Sequence, residues 1–226
     1  RFSNSRILAV DLSLSSLSYA MRKTKELGFS NIEYAQADII EMYNLGRQFD
    51  LVECVGVLHH LEDPTLGWRV LLDLLRPGGL MKIGLYSVMA RQFIVSWPTL
   101  INNNKYTTSI EDIRRCRHDI ITSMEEGNTS VARIINMGNF FSISGCRDLL
   151  FPAQEHRYEL LQLEKILMDL ELKFLGFDQL DQSVKKAFRE LHSEDYAETS
   201  LSLWHEFEME NPDIFLGMYV FWCQKL

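Results

Sequence analysis

The fold is decided by the stretch FDLVECVGVLHHLEDPTLGWRVLLDLLRPGGLMKIGLYS, which occupies residues 49–87. Its first part, FDLVECVGVL (49–58), is an apolar run typical of a buried strand. Pro64 then opens an amphipathic helix, which the breaker RPGG (76–79) ends. GLMKIGLYS (79–87) comes next as a second strand. Because tight connections join strand, helix and strand, the stretch predicts two parallel neighbours in one sheet.

The same rhythm continues outward in both directions. Upstream, ILAV (7–10) predicts a buried strand, an amphipathic helix runs to Gly28, and NIEYAQAD (31–38) predicts another strand. Downstream, KFLGFDQL (173–180) and GMYVFWCQK (217–225) are rich in strand-favouring residues. We therefore expect an α/β fold with a doubly wound mixed sheet, mostly parallel but with an antiparallel C-terminal strand.

Residues 88–158 interrupt this rhythm. They contain helical patterns but no convincing strand, and a connection of this length is more often functional than a simple link. We expect a helical cap insertion over the carboxyl edge of the sheet, where ligands bind in such folds. The sequence predicts three parts. Residues 1–87 form the N-terminal part of the core, residues 88–158 form the insertion, and residues 159–226 form the C-terminal part of the core.

Composition narrows the classes of partner. The chain has 226 residues, 46% of them hydrophobic, and a net charge of −8, which argues against a nucleic-acid partner. Its four cysteines are far apart and lack metal-ligand spacing, which suits reduced thiols and a cytoplasmic location. No apolar run approaches the ~20 residues of a membrane helix, so we expect no membrane partner.

Four motifs carry a resemblance to a known family. ILAVD (7–11), AQAD (35–38), FDLVECVGVLHHLEDP (49–64) and LLRPGGLMKIGLYS (74–87) resemble, in order and spacing, the class I (Rossmann-like) S-adenosylmethionine-dependent methyltransferases. The resemblance implies S-adenosyl-L-methionine as the cofactor and methyl transfer by direct in-line displacement. The acceptor is unidentified, either a small molecule or a protein side chain. A nucleotide-dependent oxidoreductase would share the aspartate at position 11 but not the remaining motifs.

The sequence departs from the family at its beginning. Family members carry a first strand and a turn of the type D/E-x-G-x-G before the strand that matches residues 7–10. Here only RFSNS (1–5) stands there, similar to the tail of the helix that comes after that turn. We therefore expect an upstream segment or domain of the same polypeptide to supply these parts. The alternative is a catalytically degenerate, methyltransferase-like binding or interaction module.

The resemblance also implies which residues meet the cofactor. Asp11 would bind ribose hydroxyls and Asp38 the adenine amino group, while Cys54 and Val55 would line the methionine end. Helix capping is the alternative role for Asp11, and strand packing is the alternative for Cys54 and Val55. The full set of predicted cofactor residues is Asp11, Leu12, Ala37, Asp38, Ile39, Cys54 and Val55.

A second group of polar residues is expected on the acceptor side. His60 and His156 are the predicted catalytic residues, because histidine accepts a proton near neutral pH. The predicted substrate-binding residues are His59, Tyr86, Glu155 and Arg157. A solvated helix start is the alternative for the residues near 155. We expect no metal at His59-His60, since adjacent histidines diverge and no further ligands stand at suitable spacing.

Overall fold

The computed structural model describes residues 5–92, 104–128, 131–138, 140–151, 154–195 and 198–226. Residues 1–4, on which the proposed helix tail mostly falls, lie outside this set. The strands are β1 (Ile7–Asp11), β2 (Ile32–Gln36), β3 (Phe49–Val55), β4 (Leu75–Ser87), β5 (Arg157–Tyr158), β6 (Leu172–Phe177) and β7 (Tyr219–Lys225). The helices are α1 (Leu14–Glu26), α2 (Pro64–Asp73), α3 (Ile110–Glu125), α4 (Ala132–Ile135), α5 (Ile143–Leu150), α6 (Leu160–Asp169), α7 (Gln182–Leu191) and α8 (Leu201–Glu210). Two 3-10 helices, Ile39–Asn44 and Leu58–His60, come after β2 and β3.

The predicted α/β class with a mixed sheet is confirmed. The main sheet has the strand order β3-β4-β7-β6, in which β3 and β4 are parallel. Strand β7 is antiparallel to both β4 and β6, so the C-terminal strand lies inside the sheet, as its aromatic sequence predicts. Strands β1 and β2 pair in parallel as a separate two-stranded unit.

Helix α2 begins where the sequence predicts. Asp63 is its N-cap, and the Oδ1 atom of Asp63 accepts from the backbone N–H groups of Thr65 and Leu66 at 2.9 and 3.0 Å. Strand β4, however, starts at Leu75 and not at residue 79. Leu75 already pairs with Phe49, and a register shift between Phe49 and Leu51 accommodates the glycines of the turn-like RPGG segment.

The principal core lies against the main sheet. It contains fully buried aromatic side chains from α2, α7, α8 and β7, including Trp68, Phe188, Trp204 and Phe221. The rings of Phe188 and Trp204 stack with centroids 3.8 Å apart. Helices α6, α7 and α8 therefore bind the sheet through a continuous apolar interface, which holds the C-terminal part of the chain on the core.

The insertion has its own small core. Ile113, Cys116 and Ile120 of α3 pack with Phe140 and with residues of α5. The expectation that residues 88–158 lack a strand is wrong in one place, because β5 pairs Arg157 with Tyr86 and Tyr158 with Ser87. A two-residue strand has too few positions to show a period of two, so its sequence carries no recognisable signal.

The space between β1 and β3 is the unusual feature of the fold. Within the described residues, no hydrogen-bonded ladder joins these two strands, and a cavity of about 640 Å³ reaches from Leu8 and Val10 to Leu51. Leu51 is 48% exposed although it lies in a strand of the main sheet. The half-sheet β1-β2 and the main sheet therefore face each other with unpaired edges.

Candidate functional site

The first cavity collects the predicted cofactor residues. The 640 Å³ cavity includes the space between β1 and β3 and extends to the ends of β1, β2 and β3. All seven predicted residues line it: Asp11, Leu12, Ala37, Asp38, Ile39, Cys54 and Val55. The structure thus brings together residues that are up to 44 positions apart in sequence (55 − 11 = 44). Their role in binding stays a prediction.

Both aspartates have a local structural contact. The Oδ1 atom of Asp11 accepts from the Ser13 backbone N–H at 2.7 Å, and the Oδ1 atom of Asp38 accepts from the Ile40 backbone N–H at 2.9 Å. Asp38 is the N-cap of the 3-10 helix that comes after β2. Because each of these contacts uses one carboxylate oxygen, capping is compatible with a ligand at the other oxygen.

The other predicted cofactor residues differ in exposure. Cys54 is buried, and burial raises the pKa of its thiol to about 11, so it presents an uncharged, unreactive wall. Val55 is 37% exposed, while Leu12 is 63% exposed at the rim. After Val55 the chain turns at Gly56, whose φ of +77° favours glycine, and its backbone N–H donates to the carbonyl of Gly84 at 3.2 Å.

A second cavity, of about 820 Å³, opens beyond Val55. It is lined by Tyr86 and Arg91 at the end of β4, by residues 136–138 of the insertion, and by the loops 178–180 and 213–218. Val55 lines both cavities, which makes the end of β3 their common wall. The insertion thus contributes to a space at the carboxyl ends of β3 and β4, the position expected for a ligand in such a sheet.

His59 and His60 have opposite environments. His59 is fully buried, its ring lies 4.1 Å from the Tyr86 ring and 4.3 Å from the His60 ring, and neither of its ring nitrogens has a side-chain hydrogen-bond partner among the described residues. Burial lowers the pKa of His59 to about 3, so its imidazole is neutral at physiological pH. His60 is exposed, lines the first cavity, and its Nδ1 atom lies 3.0 Å from the Gln154 carbonyl oxygen.

The segment 154–158 docks onto this histidine turn. The backbone N–H of His156 donates to the carbonyl of His59 at 2.8 Å. The Nε2 atom of the His156 ring lies 3.1 Å from Nε2 of Gln154. The predicted acceptor-side residues therefore form one contiguous cluster, which is partly buried: His59, His60, Tyr86, Glu155, His156 and Arg157. Among these six, His60 lines the first cavity and Tyr86 lines the second.

Sequence reasoning misses Arg91, the most deeply buried cation of the site. Its side chain is 1% exposed, and its Cζ atom lies 3.6 Å from the centroid of the Tyr86 ring. Its Nη2 atom donates to Oε2 of Glu155 at 3.0 Å, while Nε of Arg157 donates to Oε1 of the same carboxylate at 2.7 Å. The only signal in the sequence is an arginine shortly after a buried strand that ends at Ser87, in the apolar context SVMARQF (87–93).

Two further properties concern the described residues alone. No group of three or more His, Cys, Asp and Glu side chains in this part of the chain could hold a metal ion. None of the helices that the structure describes is long and apolar enough to cross a membrane.

Known proteins match this chain in sequence and in structure. Residues 1–81 match the family described as a methyltransferase domain. The protein syc1184_c of Synechococcus sp. is 36% identical over 89 residues, which cover 39% of this chain and 21% of that protein. The structure of PKMT2 from Rickettsia typhi has a TM-score of 0.68 at 13% identity, covering 97% of this chain and 43% of PKMT2. The complex of PKMT2 with AdoHcy has a TM-score of 0.63 at 15% identity, with the same coverage of both chains.

These matches differ in what they show. At 13% and 15% identity, the PKMT2 structures establish a shared fold over nearly the whole chain. The family match concerns the N-terminal part, which contains β1, β2, β3 and α2. The chain spans less than half of PKMT2 and about a fifth of the curated relative (43% and 21%).

Proposed function

We propose that this chain, whose residues 1–81 match a methyltransferase domain, is a class I S-adenosylmethionine-dependent methyltransferase that transfers a methyl group to an acceptor in the second cavity. The observation that carries the proposal is the pair of cavities that meet at Val55. One is lined by the two aspartates at the ends of β1 and β2, and the other is partly walled by the insertion. A two-substrate reaction needs such an arrangement, because both reactants must approach each other in a fixed geometry.

The first cavity fits the nucleoside half of the cofactor. Asp11 and Asp38 offer carboxylates to hydroxyl and amino hydrogens, while Ala37 and Ile39 offer apolar walls. S-adenosyl-L-methionine, when bound, supplies an activated methyl group on a sulfonium. The remaining task of the chain is to align the acceptor for direct in-line displacement and to exclude water.

On the acceptor side, the proposed proton acceptors are His60 and His156. His60 is exposed at the first cavity, and its Nδ1 contact with the Gln154 carbonyl leaves the other ring nitrogen for the nucleophilic end of an acceptor that extends from the second cavity past Val55. His59 supports this turn: its neutral, buried ring packs between His60 and Tyr86. The acceptor is a small molecule or a protein side chain that presents a nucleophilic atom to the methyl group.

The unpaired edges of β1 and β3 support a further part of the proposal. A strand inserted between them would satisfy both ladders and cover Leu51. We assign this strand, together with the glycine-rich turn for the methionine half of the cofactor, to an upstream segment of the same polypeptide. Only glycine lets backbone amides approach the cofactor closely enough.

The same feature favours a second candidate function. If no strand enters between β1 and β3, the chain lacks a holder for the methionine half and would act as a non-catalytic binding or interaction module. The two candidates predict opposite results for cofactor binding, which can be measured directly.

Calorimetric titration with S-adenosylhomocysteine tests the proposed function. We expect micromolar binding by the longest polypeptide that contains these residues, and weak or no binding by residues 1–226 alone. Asp11→Asn should weaken binding by about 1.5–3 kcal/mol, because a charged hydrogen-bond acceptor is lost. Asp50→Asn is the matched control, since Asp50 is exposed, pairs with Arg76 at 2.6 Å and does not line the cavity. Unchanged affinity in Asp11→Asn, or no binding by any form, would contradict the proposal.

A further inference from the structure

Arg91 has donors that the described residues do not use. Its side chain is 1% exposed, yet Nε and Nη1 have no hydrogen-bond partner in the described part of the chain, while Nη2 donates to Glu155. Nε and Nη1 carry most of the N–H groups of a guanidinium. Because a buried donor without an acceptor is costly, and Arg91 lines the second cavity, these atoms indicate a ligand with acceptor oxygens.

The guanidinium is held in place by two contacts and by the turn that carries it. Its Cζ atom lies 3.6 Å from the centroid of the Tyr86 ring, and its Nη2 atom is fixed by Glu155, whose side chain is only 3% exposed. The turn that carries it is tied to the sheet, since the Ala90 backbone N–H donates to Ser87 Oγ at 3.0 Å. A rigid cation of this kind loses little conformational freedom when it binds an anion.

The arrangement of charge selects the class of ligand. Two arginines, Arg91 and Arg157, share the single carboxylate of Glu155, so the trio carries one positive charge (+1 +1 −1 = +1). A monoanion neutralises this charge. Other walls of the cavity carry Asp178, which pairs with Lys82 at 2.7 Å, and Asp213. Repulsion from these carboxylates grows with the charge of the ligand, so it favours a monoanion over a dianion.

We propose that Arg91 binds a carboxylate group of the methyl acceptor, so that the substrates of this protein are carboxylate-bearing molecules seated in the second cavity. The role of the bound molecule as acceptor rests on the proposed function, but the carboxylate site does not. Arg91 acts here as a specificity-determining residue: it fixes one end of the substrate while the other end reaches Val55 and the first cavity.

Benzoate is the probe that tests this site, with benzamide as its neutral isostere and inorganic phosphate as the competitor, at a pH above the second pKa of phosphate so that it is a dianion. Binding to the longest polypeptide that contains the chain is monitored by NMR, through the Nε–H resonance of Arg91 in the unaltered protein. We expect benzoate to shift this resonance and to bind about tenfold more tightly than benzamide or phosphate. Arg91→Gln should lower benzoate affinity about tenfold, whereas Arg115→Gln, on an exposed arginine of α3, should not change it.

Each possible result bears on a different part of the proposal. The carboxylate site is overturned if benzoate and benzamide bind with equal affinity. It is also overturned if benzoate does not shift the Nε–H resonance of Arg91. Tighter binding of phosphate than benzoate overturns the choice of a monoanion. If Arg91→Gln does not fold, Arg91→Lys keeps the charge beside Glu155 and should still lose affinity, because a point charge replaces the planar donors. Failure of S-adenosylhomocysteine binding with intact benzoate binding would refute the proposed function and leave this site standing.

Discussion

The half-sheet β1-β2 and the main sheet are built from similar sequences but have very different burial. β1 (ILAVD) and β4 (LRPGGLMKIGLYS) are both rich in aliphatic residues. Nevertheless Leu17 is the only buried residue among the described positions 5–53, whereas most of the second half of β4 is buried. The difference lies in the neighbours: β4 is paired on both sides, while β1 is paired, among the described strands, with β2 alone.

Burial of an apolar strand thus depends on what covers its faces: β6 is an edge strand, yet it places Leu172, Phe174 and Phe177 in the core, whereas β1 and β2 contribute no residue to it. Hydrophobic stabilisation scales with the area removed from water, at roughly 25 cal/mol per Å². Strands β1 and β2 remove little such area in residues 1–226, so we expect the half-sheet to contribute little to global stability. Three sets of substitutions test this contrast, from the largest expected effect to the smallest.

The largest effect is expected from one truncation in each half. Phe221→Ala in β7 should lower the free energy of unfolding by about 3–5 kcal/mol, because a fully buried ring leaves a cavity against Trp68 and Phe174. Leu8→Ala in β1 should cost less than about 1.5 kcal/mol in residues 1–226, since Leu8 is only half-buried. Urea denaturation measures both values.

The longer polypeptide sharpens this comparison. If an upstream strand lies between β1 and β3, Leu8 becomes a core residue and its truncation should cost about 2–5 kcal/mol there. Phe221→Leu is the control, which keeps an apolar side chain and should cost less than Phe221→Ala in both forms. An equal cost of Leu8→Ala with and without the upstream residues would contradict the proposed strand.

Much of the fold could be predicted from the sequence. The strands at 7–10, 32–35 and 50–55 and the helix at Pro64 arise from apolar runs, a capping aspartate and a proline, which act locally. The start of β4 at Leu75 could not be predicted, because its pairing with Phe49 depends on a bulge between distant residues. The pair β5-β4 has no local signal either, since two residues show no period.

The candidate site, like the fold, has residues that could be predicted from the sequence and residues that could not. The predicted cofactor residues stand at strand ends, and the carboxyl ends of parallel strands meet at one edge, so their proximity is a consequence of topology. Arg91 could not be found by such reasoning. Its significance depends on Tyr86 and Glu155, and contacts 64 residues apart (155 − 91 = 64) have no trace in a local pattern.

A smaller effect concerns the stability of the main-sheet part of the molecule at acid pH. His59 has a folded-state pKa of about 3, below the unfolded value near 6.5, because burial disfavours the imidazolium. The stabilisation is therefore complete above pH 6.5 and is lost as the pH falls toward 3. We expect the free energy of unfolding to fall by at most about 1.4 kcal/mol per pH unit in this window.

His59→Phe should remove this part of the pH dependence, since phenylalanine keeps the ring contact with Tyr86 and does not titrate. His118→Phe, at an exposed histidine of α3, is the matched control and should leave the slope unchanged. Urea denaturation at about pH 6.5, 5.5 and 4.5, the upper part of the titration window, gives the slopes. The same slope in the wild type and in His59→Phe would show that His59 is accessible to protons in the folded state.

The smallest effect compares two helix caps with the same geometry in the two halves. Ser13 Oγ accepts from the Ser16 N–H at 3.2 Å at the start of α1, and Ser200 Oγ accepts from the Leu203 N–H at 3.3 Å at the start of α8. The intrinsic value of each cap is about 1 kcal/mol. Ser200→Ala should lower global stability by this amount, because α8 unfolds with the core through its buried aromatic side chains.

Ser13→Ala should behave differently from Ser200→Ala although it removes the same kind of contact. In residues 1–226 it should lower global stability by less than about 0.5 kcal/mol, because α1 opens locally before the core does. Hydrogen exchange separates the two variants, since Ser13→Ala should speed exchange in α1 and leave α8 unchanged. Equal losses of global stability would mean that both halves unfold as one unit, and that the β1-β2 pair is coupled to the main sheet despite their unpaired edges.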